Sequence, residues 1–300
     1  MSDQQNTTVT QWDVDVDFDF VAEHRVPADR SVELEDVPTN SKGPFDEKAH
    51  GQAFTAATVP KIRDLQYRLF TEQSQSLLIV LQAPDAAGKD GLIRKVLGQM
   101  NPQGCRTYPF KVPSAVEASH DFLWRVHAAA PAVGKVSIFN RSHYEDVLVV
   151  RVEDLVPKSV WSQRYQMIND FERLLHHRGT RVLKFYLHIS PGEQLERFKK
   201  RLDDPAKHWK LNAGDYDARQ KRAAYIDAYQ DVFKKCNSDD APWHIIPADR
   251  KWYRDASVAA IVHAELKRMD PQFPPVDANL DEIRRLYERE EALLEKDASS

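Results

Sequence analysis

Short unbroken apolar runs alternate with longer amphipathic segments from about residue 54 onward. The runs predict strands that are buried on both faces of a sheet, because half-exposed strands alternate apolar with polar residues. The predicted strands are 76–82, 136–140, 181–188 and 243–247, with a shorter strand-like run at 107–110.

Helical periodicity fills the intervals between these strands. Apolar positions recur every three or four residues, which places them on one face of a helix. The predicted helices are 58–73, 89–100, 114–129, 159–177, 192–202, 216–235 and 251–268, and a charged helix at 278–297. This alternation predicts a doubly wound α/β fold, in which helices flank a mostly parallel sheet.

The first 50 residues follow a different pattern. Aspartate alternates with valine or phenylalanine over residues 13–20, and this period of two predicts one strand packed on the body. Prolines and a glycine then indicate a loop-rich stretch. We therefore divide the chain into an acidic arm at 1–50, a body at 51–270 and a charged helical tail at 271–300.

Charge is unevenly distributed along these parts. The 300-residue chain has a net charge of −4, but the arm contributes −8 and the tail −4, so the body carries +8. A basic body suggests an anionic ligand. A mixed surface between two acidic ends would give the same totals.

The expected cellular compartment is inferred from targeting and cysteine patterns that the sequence does not show. No apolar run approaches the roughly 20 residues that span a bilayer, and the polar, acidic start does not resemble a signal peptide. Cys105 and Cys236 show neither metal-site spacing nor a disulfide framework. We expect a cytoplasmic protein with no membrane partner.

The segment 77–91, LLIVLQAPDAAGKDG, runs from a buried strand through a tight turn into a helix. This is the setting of a phosphate loop, in which backbone N–H groups of the turn and of the helix start face phosphate oxygens. Gly88 lets the backbone approach closely, and Lys89 adds a positive charge. The other loop residues expected to bind phosphate are Ala86, Ala87 and Asp90.

The match to the GxxxxGK[ST] pattern is imperfect. Ala83 replaces the first glycine, and Asp90 replaces the serine or threonine that contacts Mg²⁺. Asp85 would repel phosphate unless it coordinated a metal, so we expect it to bind Mg²⁺. An ordinary strand-to-helix turn that contains a glycine is the alternative, against which the preceding strand, the following helix and Asp85 all count.

The second half of the expected site follows strand 136–140. Asn140 stands where an aspartate usually faces the metal, and Arg141 suits bidentate contact with phosphate. Glu145 lies one turn further on. His143 receives no catalytic role, because an ionised phosphate acceptor needs little proton transfer. An ordinary strand end with a surface loop would show the same pattern.

A basic stretch between two predicted helices indicates a lid at about 199–215. Mobile basic segments cover the transferring phosphate in nucleotide kinases and exclude water. A solvated loop or a nucleic-acid patch would have a similar composition. The stretch contains Lys199, Lys200, Arg201, Lys207 and Lys210. Any one of Arg94, Lys95, Lys111 and Arg125 would also fit as a surface charge, but together they would line a channel for a long anion.

Six blocks of sequence resemble the polyphosphate kinase type 2 family, in family order over roughly residues 60–255. They are APDAAGKDGLIRKV, NPQGC, FKVPS, HDFLWR, FNRSHYEDVLVVRV and KRLDDPAKHWK. The combination of Asn140 and Glu145 resembles the class III branch of that family.

The resemblance implies a thymidylate-kinase-like P-loop fold with a helical lid. It also implies reversible, Mg²⁺-dependent transfer of the terminal phosphoryl group of inorganic polyphosphate to AMP and ADP. Mn²⁺ could replace Mg²⁺. The expected ligands are therefore polyphosphate and adenine nucleotides, with no nucleic acid, and we expect a homo-oligomer.

By the same motifs, Asp85 and Asn140 would hold the metal, and Glu145 would help to select monophosphate acceptors. No role carries over to the arm or the tail. The residues implied in catalysis are Asp85, Lys89, Asn140, Arg141 and Glu145, and those implied in the lid are Lys199, Arg201, Lys207 and Lys210.

Two other functions fit the sequence. One is a nucleotide kinase of the same fold that uses a nucleoside triphosphate as donor. The other is a non-catalytic polyanion-binding protein, favoured by the missing first glycine and the missing serine or threonine. Asp85 argues against a pure binder, because it weakens anion binding when no metal is present.

Overall fold

The computed structural model describes residues 16–27 and 31–298. Its strands are β1 Ser76–Gln82, β2 Cys105–Pro109, β3 Val136–Asn140, β4 Thr180–His188 and β5 Trp243–Pro247. They form one parallel sheet in the order β2-β3-β1-β4-β5. The predicted α/β class is confirmed, and β1, β3 and β5 have the predicted bounds.

Helices cover both faces of the sheet. They are α1 Phe20–His24, α2 Lys48–Glu72, α3 Lys89–Lys95, α4 Ala115–Ala118, α5 Trp124–Ala129, α6 Val149–Val152, α7 Lys158–His177, α8 Pro191–Leu202, α9 Gly214–Gln220, α10 Arg222–Lys235, α11 Lys251–Met269 and α12 Leu280–Ala298. Among the described residues, no helix is both long and apolar enough to cross a bilayer.

The strand β1 contributes to two cores because its side chains alternate between the faces of the sheet. Leu77 and Ile79 pack with residues of α2, α3 and α11, whereas Leu78 and Val80 pack with residues of α7 and α10. All seven residues of β1 are buried. Burial on both faces explains why the run carries no polar alternation.

Three of the predicted helices are shorter or divided in the structure. The single helix predicted at 114–129 is wrong, because Asp121 Oδ1 accepts the N–H of Leu123 at 2.9 Å and separates α4 from α5. The helix predicted at 89–100 ends at Lys95 and continues as a 3₁₀ turn. The helix predicted at 216–235 is divided at Lys221 into α9 and α10.

The strand predicted at 13–20 is also wrong where the structure describes it. Residues 13–15 lie outside the described residues, and residues 16–19 form no strand. Asp19 Oδ1 accepts the N–H groups of Val21 and Ala22, both at 3.0 Å, and so caps α1. Val16 and Phe18 still pack against the core.

The order of the strands places a crevice at the carboxyl ends of β1 and β3. The connection after β1 leads to β2 at one edge of the sheet, whereas the connection after β3 leads to β4 on the other side of β1, and ligands of open α/β sheets bind at such a point. Leu81 is in register with Asn140, and the N–H of Arg141 donates to the Leu81 carbonyl at 3.0 Å. The turns after both strands therefore meet.

A buried polar network fixes the turn after β3 to the rest of the body. Lys184 Nζ of β4 donates to Glu172 Oε2 at 2.6 Å, to the Tyr144 hydroxyl at 2.9 Å and to the Cys236 carbonyl at 2.8 Å. The Tyr144 hydroxyl donates to Glu172 Oε1 at 2.7 Å, and His143 Nε2 lies 3.3 Å from the same oxygen. His143 is buried, and burial lowers its pKa although Glu172 opposes that effect.

Replacing Glu172 with leucine leaves the Lys184 ammonium buried without its counter-charge. We expect the free energy of unfolding to fall by roughly 3–5 kcal/mol, measured by urea denaturation. Asp170→Asn on the same helix removes an exposed partner of Arg173, so it should cost less than about 1 kcal/mol. Equal losses in the two variants would contradict a stabilising role for the network.

Candidate active site

The loop between β1 and α3 has a backbone that suits close approach of an anion. Ala86 has a φ of 62° and Gly88 a φ of 105°. A Cβ added to Gly88 would lie 2.0 Å from Nη1 of Arg254. Both the dihedral angle and the neighbouring guanidinium therefore require glycine at position 88.

Buried side chains hold the loop carbonyls from behind. Arg197 and Arg254 are only 5% and 2% exposed, and they reach the loop from α8 and α11. The contacts are Gln194 Nε2 to the Asp85 carbonyl at 3.0 Å, Arg197 Nη1 to the carbonyls of Ala86 and Ala87 at 3.0 and 2.8 Å, and Arg254 Nη1 to the Ala87 carbonyl at 3.2 Å.

These contacts determine which way the loop N–H groups point. In a trans peptide the N–H is directed opposite to the preceding carbonyl. Because the carbonyls of Asp85 and Ala87 point towards the helices, the N–H groups of Ala86 and Gly88 point away from them. The N–H of Ala87 is used within the turn, where it donates to the Pro84 carbonyl at 3.3 Å.

Lys89 lies folded back along the loop. Its Nζ donates to the Ala83 carbonyl at 2.8 Å. Burial lowers the pKa of Lys89, and the Asp85 carboxylate opposes that change. A phosphate oxygen could replace the carbonyl as the acceptor of this ammonium group.

Asp85 and Arg141 face each other across the crevice. Arg141 Nη2 donates to Asp85 Oδ1 at 2.7 Å. Arg141 has a φ of 62°, an uncommon value for a residue with a side chain and one that is frequent at functional sites. Burial alone would lower its pKa, but the carboxylates of Glu145 and Asp85 raise it.

Asn140 and the predicted lid meet at Asp90. Asn140 Nδ2 donates to Asp90 Oδ1 at 3.1 Å, and Lys210 Nζ donates to Asp90 Oδ2 at 3.0 Å. Burial alone would raise the pKa of Asp90, but the hydrogen bonds from Lys210 and Asn140 lower it. The basic stretch therefore lies against the first turn of α3.

A cavity of about 1020 Å³ opens in front of the loop. Twelve basic side chains and four aspartates line it. The basic residues are Lys89, Arg94, Lys95, Lys111, Arg141, Arg197, Lys200, Arg201, Lys207, Lys210, Lys251 and Arg254. Such an excess of positive charge suits a ligand with many negative charges.

A second cavity of about 350 Å³ lies on the other side of Asp85 and Arg141. Its lining combines three tyrosines with aliphatic side chains and several carboxylates, one of which is Glu145. Burial raises the pKa of Glu145, and Arg141 and Lys89 oppose this rise. The tyrosines are Tyr186, Tyr225 and Tyr229.

The two cavities share Asp85 and Arg141 as lining residues. A polyanion in the larger cavity and a smaller, partly apolar ligand in the other would therefore meet at this pair. The arrangement suits transfer of a charged group from one ligand to the other.

The donor atoms at this junction fit a hard divalent cation. Mg²⁺ prefers oxygen ligands and often binds through one or two carboxylates together with substrate phosphates. The second oxygen of Asp85 makes no hydrogen bond within the described part of the chain, and Asn140 adds an amide oxygen nearby. Residues 16–27 and 31–298 contain no group of three metal-ligating side chains, so substrate oxygens would complete the coordination.

Most of the residues predicted to bind phosphate line the larger cavity. They are Asp85, Ala86, Gly88, Lys89, Asp90, Arg94, Lys111, Asn140, Arg141, Arg201, Lys207 and Lys210.

The structure places three predicted residues elsewhere. Ala87 is buried beneath the loop. Lys199 pairs with Asp203 at 2.8 Å and does not line either cavity. Arg125 donates to the Lys111 carbonyl at 2.8 Å and lines a smaller cavity next to the larger one.

Sequence reasoning missed the arginines that support the loop. Arg197 lies between the buried residues Gln194 and Phe198 on the inner face of α8, and Arg254 lies on the buried side of α11. An arginine at a core position of a helix is a signal, because a buried guanidinium needs several acceptors. Arg219, Arg222 and the tyrosines of the smaller cavity were also missed.

Comparison with known proteins gives a consistent result. The family model described as polyphosphate kinase 2 matches residues 46–274. An AMP/ADP-polyphosphate phosphotransferase of Meiothermus ruber is 42% identical over 262 residues, which cover 87% of this chain and 98% of the relative. An ADP-polyphosphate phosphotransferase of Rhodopseudomonas palustris is 40% identical over 262 residues, 83% of this chain and 91% of that one.

A solved structure is also similar over most of its length. The crystal structure of polyphosphate kinase 2 from Arthrobacter aurescens TC1 superposes with a TM-score of 0.87 at 39% sequence identity. The match covers 91% of this chain and 97% of that one.

Two adjacent lysines allow a matched test of the larger cavity. Lys200 lines it, whereas Lys199 does not. We expect Lys200→Ala to weaken binding of a polyanion such as tripolyphosphate by about fivefold, the effect of one partly exposed charge contact. Lys199→Ala should change it by less than about twofold. Titration calorimetry measures both, and a larger effect of Lys199→Ala would refute this assignment of the lining.

Proposed function

The chain belongs to the polyphosphate kinase 2 family, and we propose that it transfers the terminal phosphoryl group of inorganic polyphosphate to AMP and ADP, giving ADP and ATP. The observation that carries this proposal is the pair of cavities that share Asp85 and Arg141. One cavity has the charge of a polyphosphate site, and the other has the mixed lining of a nucleotide site.

The larger cavity suits the donor. Polyphosphate carries a negative charge on every phosphate and has no apolar part, and the lining is correspondingly basic. Lysine and arginine from the loop, α3, α8 and α11 approach from several sides. The N–H groups of Ala86 and Gly88 add donors that need no rearrangement when the ligand binds.

The smaller cavity suits the acceptor. Tyr225 and Tyr229 offer aromatic surface to a base, and Leu148 and Ile226 add aliphatic surface. A pocket that combines apolar and aromatic surface with polar groups is typical of small-molecule sites. The nucleotide phosphate would extend towards Arg141, where the two cavities meet.

The mechanism we propose is direct in-line transfer. Lys89 and Arg141 stabilise the negative charge that spreads over the equatorial oxygens of the transferring group. The acceptor oxygen is already ionised, so no side chain needs to take a proton, in agreement with the buried position of His143. The lid cations Arg201, Lys207 and Lys210 add positive charge and exclude water.

Members of this family are phosphotransferases that generally need a divalent metal. We propose Mg²⁺, for which Mn²⁺ could substitute, held by Asp85 and Asn140. When bound, the ion neutralises charge on the phosphate oxygens. The Arg141–Asp85 contact keeps the carboxylate at the junction of the two cavities.

We also propose that Glu145 favours AMP as an acceptor, the role that the family resemblance implies. Glu145 lines the acceptor cavity and lies close enough to raise the pKa of Arg141. Glu145 therefore lies near Arg141, the position that the phosphate of AMP would have to reach.

The compartment and assembly are proposals as well. Cys105 and Cys236 are both free thiols, which supports a reducing cytoplasm. Helix α12 has no buried residue and exposes Leu280, Ile283 and Leu294. An exposed apolar face of this kind suits contact with a second copy, and light scattering of the full chain tests for a homo-oligomer. The division into arm, body and tail also remains our proposal.

Incubation with AMP, long-chain polyphosphate and Mg²⁺, without any nucleoside triphosphate, should yield ADP and then ATP. Chromatography of the nucleotides over time measures both steps. Asp85→Asn and Lys89→Ala should lower turnover by a factor of roughly 100 or more, while the surface variant Lys234→Ala keeps it.

Each alternative function has its own outcome in this assay. Product only with ATP as the donor would indicate a nucleoside-triphosphate-dependent kinase. Tight polyanion binding without Mg²⁺ and without turnover would indicate a binding protein. ATP formation from ADP with no product from AMP would contradict the role given to Glu145.

A further inference from the structure

The N-terminal arm contacts the turn that follows β5. Thr39 Oγ1 donates to Asp249 Oδ2 at 2.8 Å, and the N–H of Asp249 donates to the Thr39 carbonyl at 3.0 Å. Arg250 Nε donates to the Asn40 carbonyl at 2.9 Å. Thr39 and Asn40 precede the residues that match the family model, which begin at 46.

The same turn is bound on its other side by α8. The N–H of Ser190 donates to Asp249 Oδ1 at 2.8 Å. Arg197 Nη2 donates to the carbonyls of Ala248 and Asp249 at 2.6 and 2.9 Å. Asp249 thus receives hydrogen bonds from the arm, from the start of α8 and from Arg197.

Arg197 uses all of its N–H groups, and this makes the connection rigid. A guanidinium has five donors in one planar fork. Two of them hold the turn after β5, two hold the phosphate loop, and Nε donates to Glu193 Oε1 at 2.7 Å. A displacement of the turn must therefore break a buried hydrogen bond or move the loop carbonyls of Ala86 and Ala87.

We propose that Thr39 is a positioning residue, which keeps the phosphate loop in its anion-binding shape through Asp249 and Arg197. The proposal rests on the proposed function, because the loop is taken as the site of the polyphosphate donor. The hydrogen bonds of Thr39 described above go to Asp249, and neither residue lines the larger cavity. Lys251, two residues after Asp249, lines that cavity, so the same turn also places a cation there.

The rest of the arm is attached independently of Thr39. The N–H of Val26 donates to the Trp243 carbonyl at 2.8 Å, and the N–H of Leu34 donates to Gln230 Oε1 at 3.0 Å. His24 Nε2 lies 3.2 Å from Ser257 Oγ. Loss of the Thr39 hydroxyl should therefore leave the arm docked and the protein folded.

Thr39→Val tests the proposal, because valine keeps the shape of threonine and removes only the hydroxyl. We expect tripolyphosphate binding, measured by calorimetry, to weaken about fivefold, the size of the net effect of one typical hydrogen bond. The KM for polyphosphate should rise and kcat should fall, whereas the KM for AMP stays unchanged. Thr39→Ser restores the hydroxyl and should return all values to within about twofold of the parent.

Thr71→Val provides the control for loss of a threonine hydroxyl. Thr71 Oγ1 donates to the Arg68 carbonyl at 2.9 Å within α2, and Thr71 lines neither cavity. The Thr71→Val variant should lower the melting temperature about as much as Thr39→Val does. It should leave the KM for polyphosphate and the KM for AMP unchanged. Hydrogen–deuterium exchange at residues 84–90 of the ligand-free protein should be faster in Thr39→Val alone.

Two results would overturn the proposal. One is unchanged exchange at residues 84–90 together with parental tripolyphosphate binding in Thr39→Val. The other is weakened binding that Thr39→Ser does not restore. Exchange and calorimetry need no turnover, so a parent protein that binds tripolyphosphate but forms no nucleotide would refute the proposed function and leave this test intact.

Discussion

The buried guanidinium of Arg197 joins the parts of the molecule on which the site depends. It binds the carbonyls of the phosphate loop with one nitrogen and those of the turn after β5 with another. Arg254 adds a further bond from α11. Because the carbonyls are bound on the side of these helices, the N–H groups of Ala86 and Gly88 point away from the helices, and both residues line the larger cavity.

This support explains how an atypical loop could serve as the phosphate site that we propose. Ala83 replaces the first glycine of the usual pattern, and Asp90 replaces the serine or threonine that usually contacts Mg²⁺. Asp85 supplies a carboxylate at the junction with the acceptor cavity, and Arg141 balances its charge. In the proposed mechanism, the separation of a strongly basic cavity from a mixed one keeps donor and acceptor on opposite sides of Asp85 and Arg141.

Much of the fold could be predicted because its signals are local. The strands β1, β3 and β5 are buried on both faces, so unbroken apolar runs marked their ends correctly. The prediction of one helix at 114–129 was wrong because the Asp121 carboxylate accepts the N–H of Leu123, which a continuous helix would bond to a backbone carbonyl. The period of two over residues 13–20 predicts a strand, but Asp19, near the end of that segment, caps the start of helix α1.

The site was less accessible to sequence reasoning because it depends on helix rotation and on distant contacts. Lys199 and Lys200 are neighbours in a basic run, yet only Lys200 lines the cavity. One residue turns the side chain by about 100° around a helix, and composition carries no such information. Arg197 and Arg254 bind loop carbonyls that lie more than 100 residues away in the sequence, so a local pattern cannot reveal their role.

The most direct test of this account is a crystal structure with adenosine 5′-monophosphate and a non-transferable polyphosphate analogue bound together. The account predicts analogue phosphates against the N–H groups of Ala86 and Gly88, and the nucleoside beside Tyr225 and Tyr229, with the two ligands meeting at Arg141. Nucleotide phosphates in the loop, with the analogue outside the larger cavity, would contradict it.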